Sequence, residues 1–213
     1  MNNIPMFTGE YGAASLILKE IPYTGESYAI FRSVQPGMAA AFAEECVQFC
    51  RMAGAQRVYA SGEDLKEYPF HCQILSMACA KEQILPGEGL LWPVLPENVA
   101  KYRELYNEKM KDVHNAATMT WRDEKRLVES GGGYFVHDGS RLLGIGQVSE
   151  DRLETVIAAV PGRGETVLRA LAQEIRGDTV HLQVASTNQR ALRLYRRMGF
   201  VPTGVVSTWY RIQ

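Results

Sequence analysis

The sequence lacks the features that would send it to a membrane or a nucleic acid. No window approaches the roughly 18 apolar residues of a membrane span, and the N-terminus has no basic stretch followed by an apolar run. Basic residues form no block: 23 Lys and Arg stand against 24 Asp and Glu, for a formal net charge of −1. Neither a membrane surface nor a nucleic acid is called for as a partner, and the default location is the cytoplasm. Cysteine is scarce, with four residues, Cys46, Cys50, Cys72 and Cys79. None forms a Cys-x-x-Cys pair, so buried free thiols are favoured over a zinc site and no metal is assigned. No Gly-Lys-Ser/Thr follows a glycine loop, which excludes a Walker site. What remains is an ordinary globular composition, 46% hydrophobic and 22% charged over 213 residues, enough for one large or two small domains.

The second half is the more readable. "LLWPVL" reads as a short strand, and "NVAKYRELYNEKMKDV" as a helix with Val99, Tyr102, Leu105, Tyr106 and Met110 at helical spacing. "TWRDEKRLVES" follows from a threonine cap and ends at Gly131. "YFVHDGSRLLGIGQV" is a pair of strands turning at Asp138-Gly139, and "RLETVIAAV" closes an antiparallel meander. "PGRGETVLRALAQEI" is a glycine-rich turn and a helix, and "DTVHLQVAS" the next strand. The strand, crossover helix and strand between Leu153 and Ser186 should make parallel neighbours. The expected fold class is therefore α/β, a mixed sheet, antiparallel first and parallel later. "VPTGVVSTWYRI" supplies terminal strand material.

Residues 1–90 form a smaller partner in this reading, with residues 91–213 as the main domain. "SYAIFRSV" is a strand, "PGMAAAFAEECVQFCRMAG" a helix entered by a Pro-Gly turn, and "AQRVYAS" another strand. Laid against the later strand-helix-strand, the two share the plan V-(Q)-P-G, helix, V-x-A-S. That reads as a weak internal repeat or as convergence of two β-α-β units.

Two segments carry candidate chemistry. "PGRGETV" sets Gly162 and Gly164 between a strand end and a helix start, where unpaired amides and the helix dipole favour an anion. The Rossmann fingerprint fails, because Val167 occupies the third glycine position. "NQRALRLYRRMGF" puts Ala191, Leu194, Tyr195 and Met198 on one helical face and Arg190, Arg193, Arg196 and Arg197 elsewhere. Ser186 with Gln189 reads as a capping box, and Gly199 as a left-handed stop. Tyr195 is either a packed core aromatic or a functional phenol.

Residues 91–213 resemble the GNAT superfamily of N-acetyltransferases, in element order and in two motifs. One is the strand, glycine loop and helix at 154–171; the other is Asn188-x-x-Ala191-x-x-Leu194-Tyr195-x-x-x-Gly199-Phe200. The resemblance implies a GNAT-like fold, with the N-terminal β-α-β half-domain as a partial copy, and acetyl transfer from acetyl-CoA as co-substrate to a primary amine in a ternary complex. It implies that the pantetheine arm pairs with the strand near Ala158, Ala159 and Val160, in a gap before the next strand. Asn188 would steady that arm and Tyr195 would lie beside the thioester sulfur. The loop is shorter than the family's and lacks its leading Arg or Gln. Pyrophosphate binding would then rest on the amides of Gly162, Arg163, Gly164, Glu165 and Thr166, with the Glu165 carboxylate unhelpful unless it points to solvent.

Acyl transfer needs a neutral amine and a protonated leaving group. Tyr195 is the candidate acid, and Glu154, at the start of the cofactor-side strand, the candidate base, against the alternative of a solvent-facing charge. His114, His137 and His181 are further candidates. The acceptor would be a small-molecule or peptide amine, with a homodimer left open. The rival reading is a non-catalytic GNAT-like protein whose degenerate loop serves a binding or interaction module.

Overall fold

The computed structural model describes residues 4–213. It contains two compact units, one of residues up to Gln73 together with Val206–Gln213, the other of Ile74–Val205. The divisions between them fall inside two strands.

The first unit begins with β1 (Met6–Thr8), β2 (Gly12–Ile17), a short α1 (Ile21–Thr24) and β3 (Glu26–Val34), then α2 (Ala39–Met52) and β4 (Arg57–Ser61). β1, β2 and β3 are an antiparallel meander, and β3 lies parallel to β4 over five consecutive pairs from Glu26↔Arg57 to Ile30↔Ser61. Phe42, Ala43, Cys46, Val47 and Cys50 recur at helical spacing along α2 and are all buried. They pack on Ala29, Val58 and Ala60, which the β alternation turns to the same side, and on Leu65 from the loop after β4.

The second unit begins within β5 (Phe70–Ala80) and continues through a 3-10 turn (Lys81–Gln83), β6 (Leu90–Pro93), α3 (Val99–Met110), α4 (Trp121–Ser130), β7 (Gly133–His137), β8 (Leu142–Ser149), β9 (Arg152–Ala158), α5 (Gly164–Gln173), β10 (Thr179–Ala185) and α6 (Gln189–Arg197), into β11 (Val201–Arg211). The expected element order holds. α4 starts at a capping box between Thr120 and Asp123 and stops at Gly131, φ +66°. The Asp138-Gly139 hairpin joins β7 to β8, and the Asp138 carboxylate, accepting the Ser140 and Arg141 amides, falls to about 2.

Both faces of this sheet are covered. Leu153, Val167, Leu168, Leu171, Leu182 and Tyr195 share one core, and Tyr102, Leu127, Ile145 and Ile157 another. β5 was not read from the sequence: "FHCQILSMACA" has sulfur and small residues where β-branched ones would advertise a strand. It runs antiparallel to β10 from Thr179↔Ala80 to Ala185↔Ile74, while Tyr210 and Arg211 at the end of β11 pair with β4.

The plan that the two segments share in sequence is shared in the geometry of their turns. The Met38 amide bonds Gln35 O at 3.0 Å and the Arg163 amide bonds Val160 O at 3.2 Å. Each turn is a Pro-Gly pair, with φ +75° at Gly37 and +83° at Gly162, a conformation that favours glycine. Among the described residues no helix is long and apolar enough to cross a membrane, and no group of His, Cys, Asp and Glu could hold a metal ion.

Candidate active site

The site starts from a fault in β9. Val148 pairs with Leu153 and Gln147 with Thr155, so Glu154 is an extra residue, a bulge. Bulges bend a strand and raise its twist. Beside it, β9 leaves β10: the two parallel strands pair only at Arg152↔His181 and Leu153↔Leu182. From there β9 runs on to Ala158, held by β8 alone, and β10 to Ala185, held by β5. In the first unit β3 and β4 show no such parting. Of two β-α-β units built to one plan, one is closed and the other open at its carboxyl end, where α/β sheets bind ligands.

Around the open end lie most of the residues singled out in sequence. Ala158 ends β9, and the Ala159 and Val160 amides both turn to Leu143 O, at 2.8 and 3.4 Å. The amides of Gly162, Gly164, Glu165 and Thr166 make no hydrogen bond among the described residues, whereas that of Arg163 closes the turn. The orphan donors expected of a helix start are thus present, less Arg163. Glu165 does not stand free. Its Oε1 accepts Nε and Nη2 of Arg169, at 3.0 and 2.9 Å, and its Oε2 accepts Arg197 Nη2 at 3.2 Å. The Arg169 bonds, with Arg197, hold its carboxyl below the usual range.

α6 enters the site through a cap the sequence misassigned. The N-cap is Asn188, not Ser186: its Oδ1 accepts the Ala191 amide at 3.1 Å. Gln189 instead donates to Ser186 O at 2.8 Å, and the Asn188 amide bonds Ala185 O at 2.9 Å, which ties the helix start to the end of β10. The other end is a Schellman motif. Phe200 N–H bonds Tyr195 O at 3.0 Å and Gly199 N–H bonds Arg196 O at 3.1 Å, with Gly199 at φ +91°. The accompanying apolar contact is Phe200 against Tyr195, ring centroids 5.8 Å apart. Gly-Phe therefore ends the helix and clamps the tyrosine ring in one device.

Tyr195 is 7% exposed, and burial pushes its phenol up to about 12. Its hydroxyl makes no hydrogen bond within the described residues. A buried ring whose hydroxyl is left unpaired is available to a ligand group brought against it.

Glu154 is placed differently. It is exposed on the bulge, 3.8 Å from Arg152, and about 13 Å along the strand from Ala158. His181 lies at the opposite end of β9 from the loop, paired with Asp151 at 3.6 Å, and His137 Nδ1 accepts the Gly139 amide at 3.1 Å.

Sequence reasoning passed over Gly144 and Gly146 of β8. A Cβ at Gly144 would stand 2.2 Å from Ile157 O and 2.6 Å from Val167; one at Gly146, 2.0 Å from Leu171. These glycines let α5 lie close on the sheet, and their Gly-x-Gly alternation was the available signal. The Glu165–Arg169 spacing of four also announced an ion pair.

No family model matches the chain. A stretch of 87 residues is 37% identical to the N-alpha-acetyltransferase RimI of Mycobacterium tuberculosis, over 39% of this chain and 55% of that protein; the match spans about half the length of that relative. A GCN5-related N-acetyltransferase from Sphaerobacter thermophilus superposes with a TM-score of 0.59 at 16% identity, over 95% of this chain and 77% of the other. A conserved protein of unknown function from Staphylococcus epidermidis superposes with a TM-score of 0.61 at 12% identity, over 99% and 94%.

Proposed function

We propose that this chain, which has the fold of the GCN5-related N-acetyltransferases, transfers an acetyl group from acetyl-CoA to a primary amine, directly, in a ternary complex. The observation that carries the reading is the parting of β9 and β10 beyond Leu153 and Leu182, beside a helix start with four free amides. A pantetheine arm is a short peptide mimic with amide donors and acceptors, and the edge of β9 that has parted from β10, leading to Ala158, Ala159 and Val160, suits it, although the Ala159 and Val160 amides themselves are taken by Leu143 O. The pyrophosphate would sit on the Gly162, Gly164, Glu165 and Thr166 amides with the Arg163 side chain near, the Thr166 hydroxyl adding a donor. Asn188 would hold the arm and the α6 cap together.

Tyr195 is the group for the leaving thiolate. A phenol at about 12 is a weaker acid than a thiol near 8.5, so outright proton transfer is uphill, and its role is to donate a hydrogen bond as sulfur gains charge. Glu154 remains the candidate base, acting through water, since a carboxylate cannot strip an ammonium near 10.4 directly. RimI is named as an N-alpha-acetyltransferase, which supports a peptide α-amine as the acceptor. The first unit, with its closed β3–β4 pair, fits a partial GNAT-like copy without a cofactor of its own.

Acetyl-CoA should raise the melting temperature in a dose-dependent way. Gly164→Val should abolish the shift, because the branched side chain enters the space of Leu194, already 3.0 Å from a Cβ there, and walls off the amides. A wild-type chain indifferent to millimolar acetyl-CoA would be the non-catalytic module instead.

A further inference from the structure

We propose that Glu165 is a resident counter-anion at the phosphate end of the site, from which an incoming cofactor phosphate takes Arg197. This rests on the cofactor reading above and concerns what this chain's own residues do when the phosphate arrives.

The carboxylate stands in the first turn of α5, beside the free amides, where a negative charge is favourable in an empty site and repulsive in a filled one. Its two arginine partners differ in kind. Arg169 binds it through two nitrogens, donates also to Leu85 O at 2.8 Å, and has a side chain only 23% exposed. It is fixed. Arg197 binds through one nitrogen, has no other partner among the described residues, and is 64% exposed. It is free to leave, and the exposed pair it would break contributes little.

Without Glu165, Arg169 and Arg197 would face a helix N-terminus of like sign. With it, one cation is neutralised permanently and the other on loan. A pyrophosphate carries more charge than a carboxylate and can be bound by guanidinium in the same forked geometry. Arg197 therefore moves to the phosphate, while Glu165 stays on Arg169, its remaining charge opposing the ligand. Glu165 thus acts as a specificity-determining residue that tempers affinity for the phosphate portion of the cofactor alone.

Calorimetric binding of CoA and of pantetheine to the full chain separates the two portions. Glu165→Gln keeps an acceptor for Arg169 but removes the charge. It should bind CoA about three- to tenfold tighter at low salt and lose most of that gain at about 0.5 M salt. Its pantetheine affinity should not move. Arg197→Gln should weaken CoA binding, and by a larger factor in the Glu165→Gln background, where Arg197 is already released. The melting temperature of each unliganded variant reports folding, and Glu165→Asp, which keeps the charge on a shorter arm, should bind CoA no tighter than about twofold over wild type. Glu165→Gln binding CoA no tighter than wild type, or pantetheine changing in step with CoA, overturns the proposal. A wild-type chain that binds neither probe overturns the cofactor reading as well, a result distinct from failure of the variants alone.

Discussion

Tyr195 is held by packing and not by its hydroxyl, so its ring and its oxygen can be tested apart. Tyr195→Phe removes no hydrogen bond present in the structure and should leave the melting temperature within a degree or two. In the proposed enzyme it should lower kcat by about 10²–10³-fold, the loss of one hydrogen-bond donor to developing charge, with little change in acetyl-CoA affinity. Turnover equal to wild type would make Tyr195 a core residue and leave the leaving-group donor unassigned. Gly199 works by conformation: at φ +91° a Cβ is strained, and it would also meet Gln83 Oε1 at 2.9 Å. Gly199→Ala should cost about 1–2 kcal/mol, read as a lowered denaturation midpoint. Both the Gly199 stop and the inward face of Tyr195 were legible in sequence, because left-handed caps and helical stripes are local. The neutralisation of Glu165 by Arg197 was not, since 32 residues separate partners that only folding brings together.

At the scale of elements, α6 depends on its first residue as much as on its last. Asn188 caps it through Ala191 and is also the residue expected to steady the cofactor arm. Asn188→Ala should lose about 1 kcal/mol of stability, whereas Asn188→Asp should keep the cap. If Asn188 also touches the arm through its amide nitrogen, Asn188→Asp should still raise the KM for acetyl-CoA while the melting temperature holds. A KM that follows stability across both variants would confine Asn188 to capping. The Ser186–Gln189 box misled because its spacing was right, yet the Asn188 side chain lay two residues nearer the first free amides. The glycines of β8 make a further prediction. Gly144→Ala puts a Cβ against backbone at Ile157, which cannot rotate away, so it should destabilise by about 1–3 kcal/mol, measured by urea unfolding.

For the molecule as a whole, the four cysteines are free and buried. Burial pushes Cys46 up to about 12 and Cys72 to about 11, and raises Cys50 and Cys79 as well. An aromatic disulfide reagent at pH 8 should therefore find almost no reactive thiol in the native chain and all four after denaturation; rapid native labelling would contradict the core. Because each folded thiol is a weaker acid than its unfolded counterpart near 8.5, the stabilisation is full below that pH. It is lost as pH climbs through the window up to about 12. The sequence by itself determined the α/β class, the order of elements from β6 onward, the Pro-Gly turns at Gly37 and Gly162 and the face on which Tyr195 lies. All of these follow from torsional preference and periodicity within a dozen residues. Tertiary structure alone decided that β5 joins β10, that the end of β11 joins β4, and that β9 parts from β10 while β3 stays on β4. Strand register is chosen by the neighbouring strand, and the bulge at Glu154 exists only against Gln147 and Val148. Two segments of like pattern can therefore end as one closed pair and one open site.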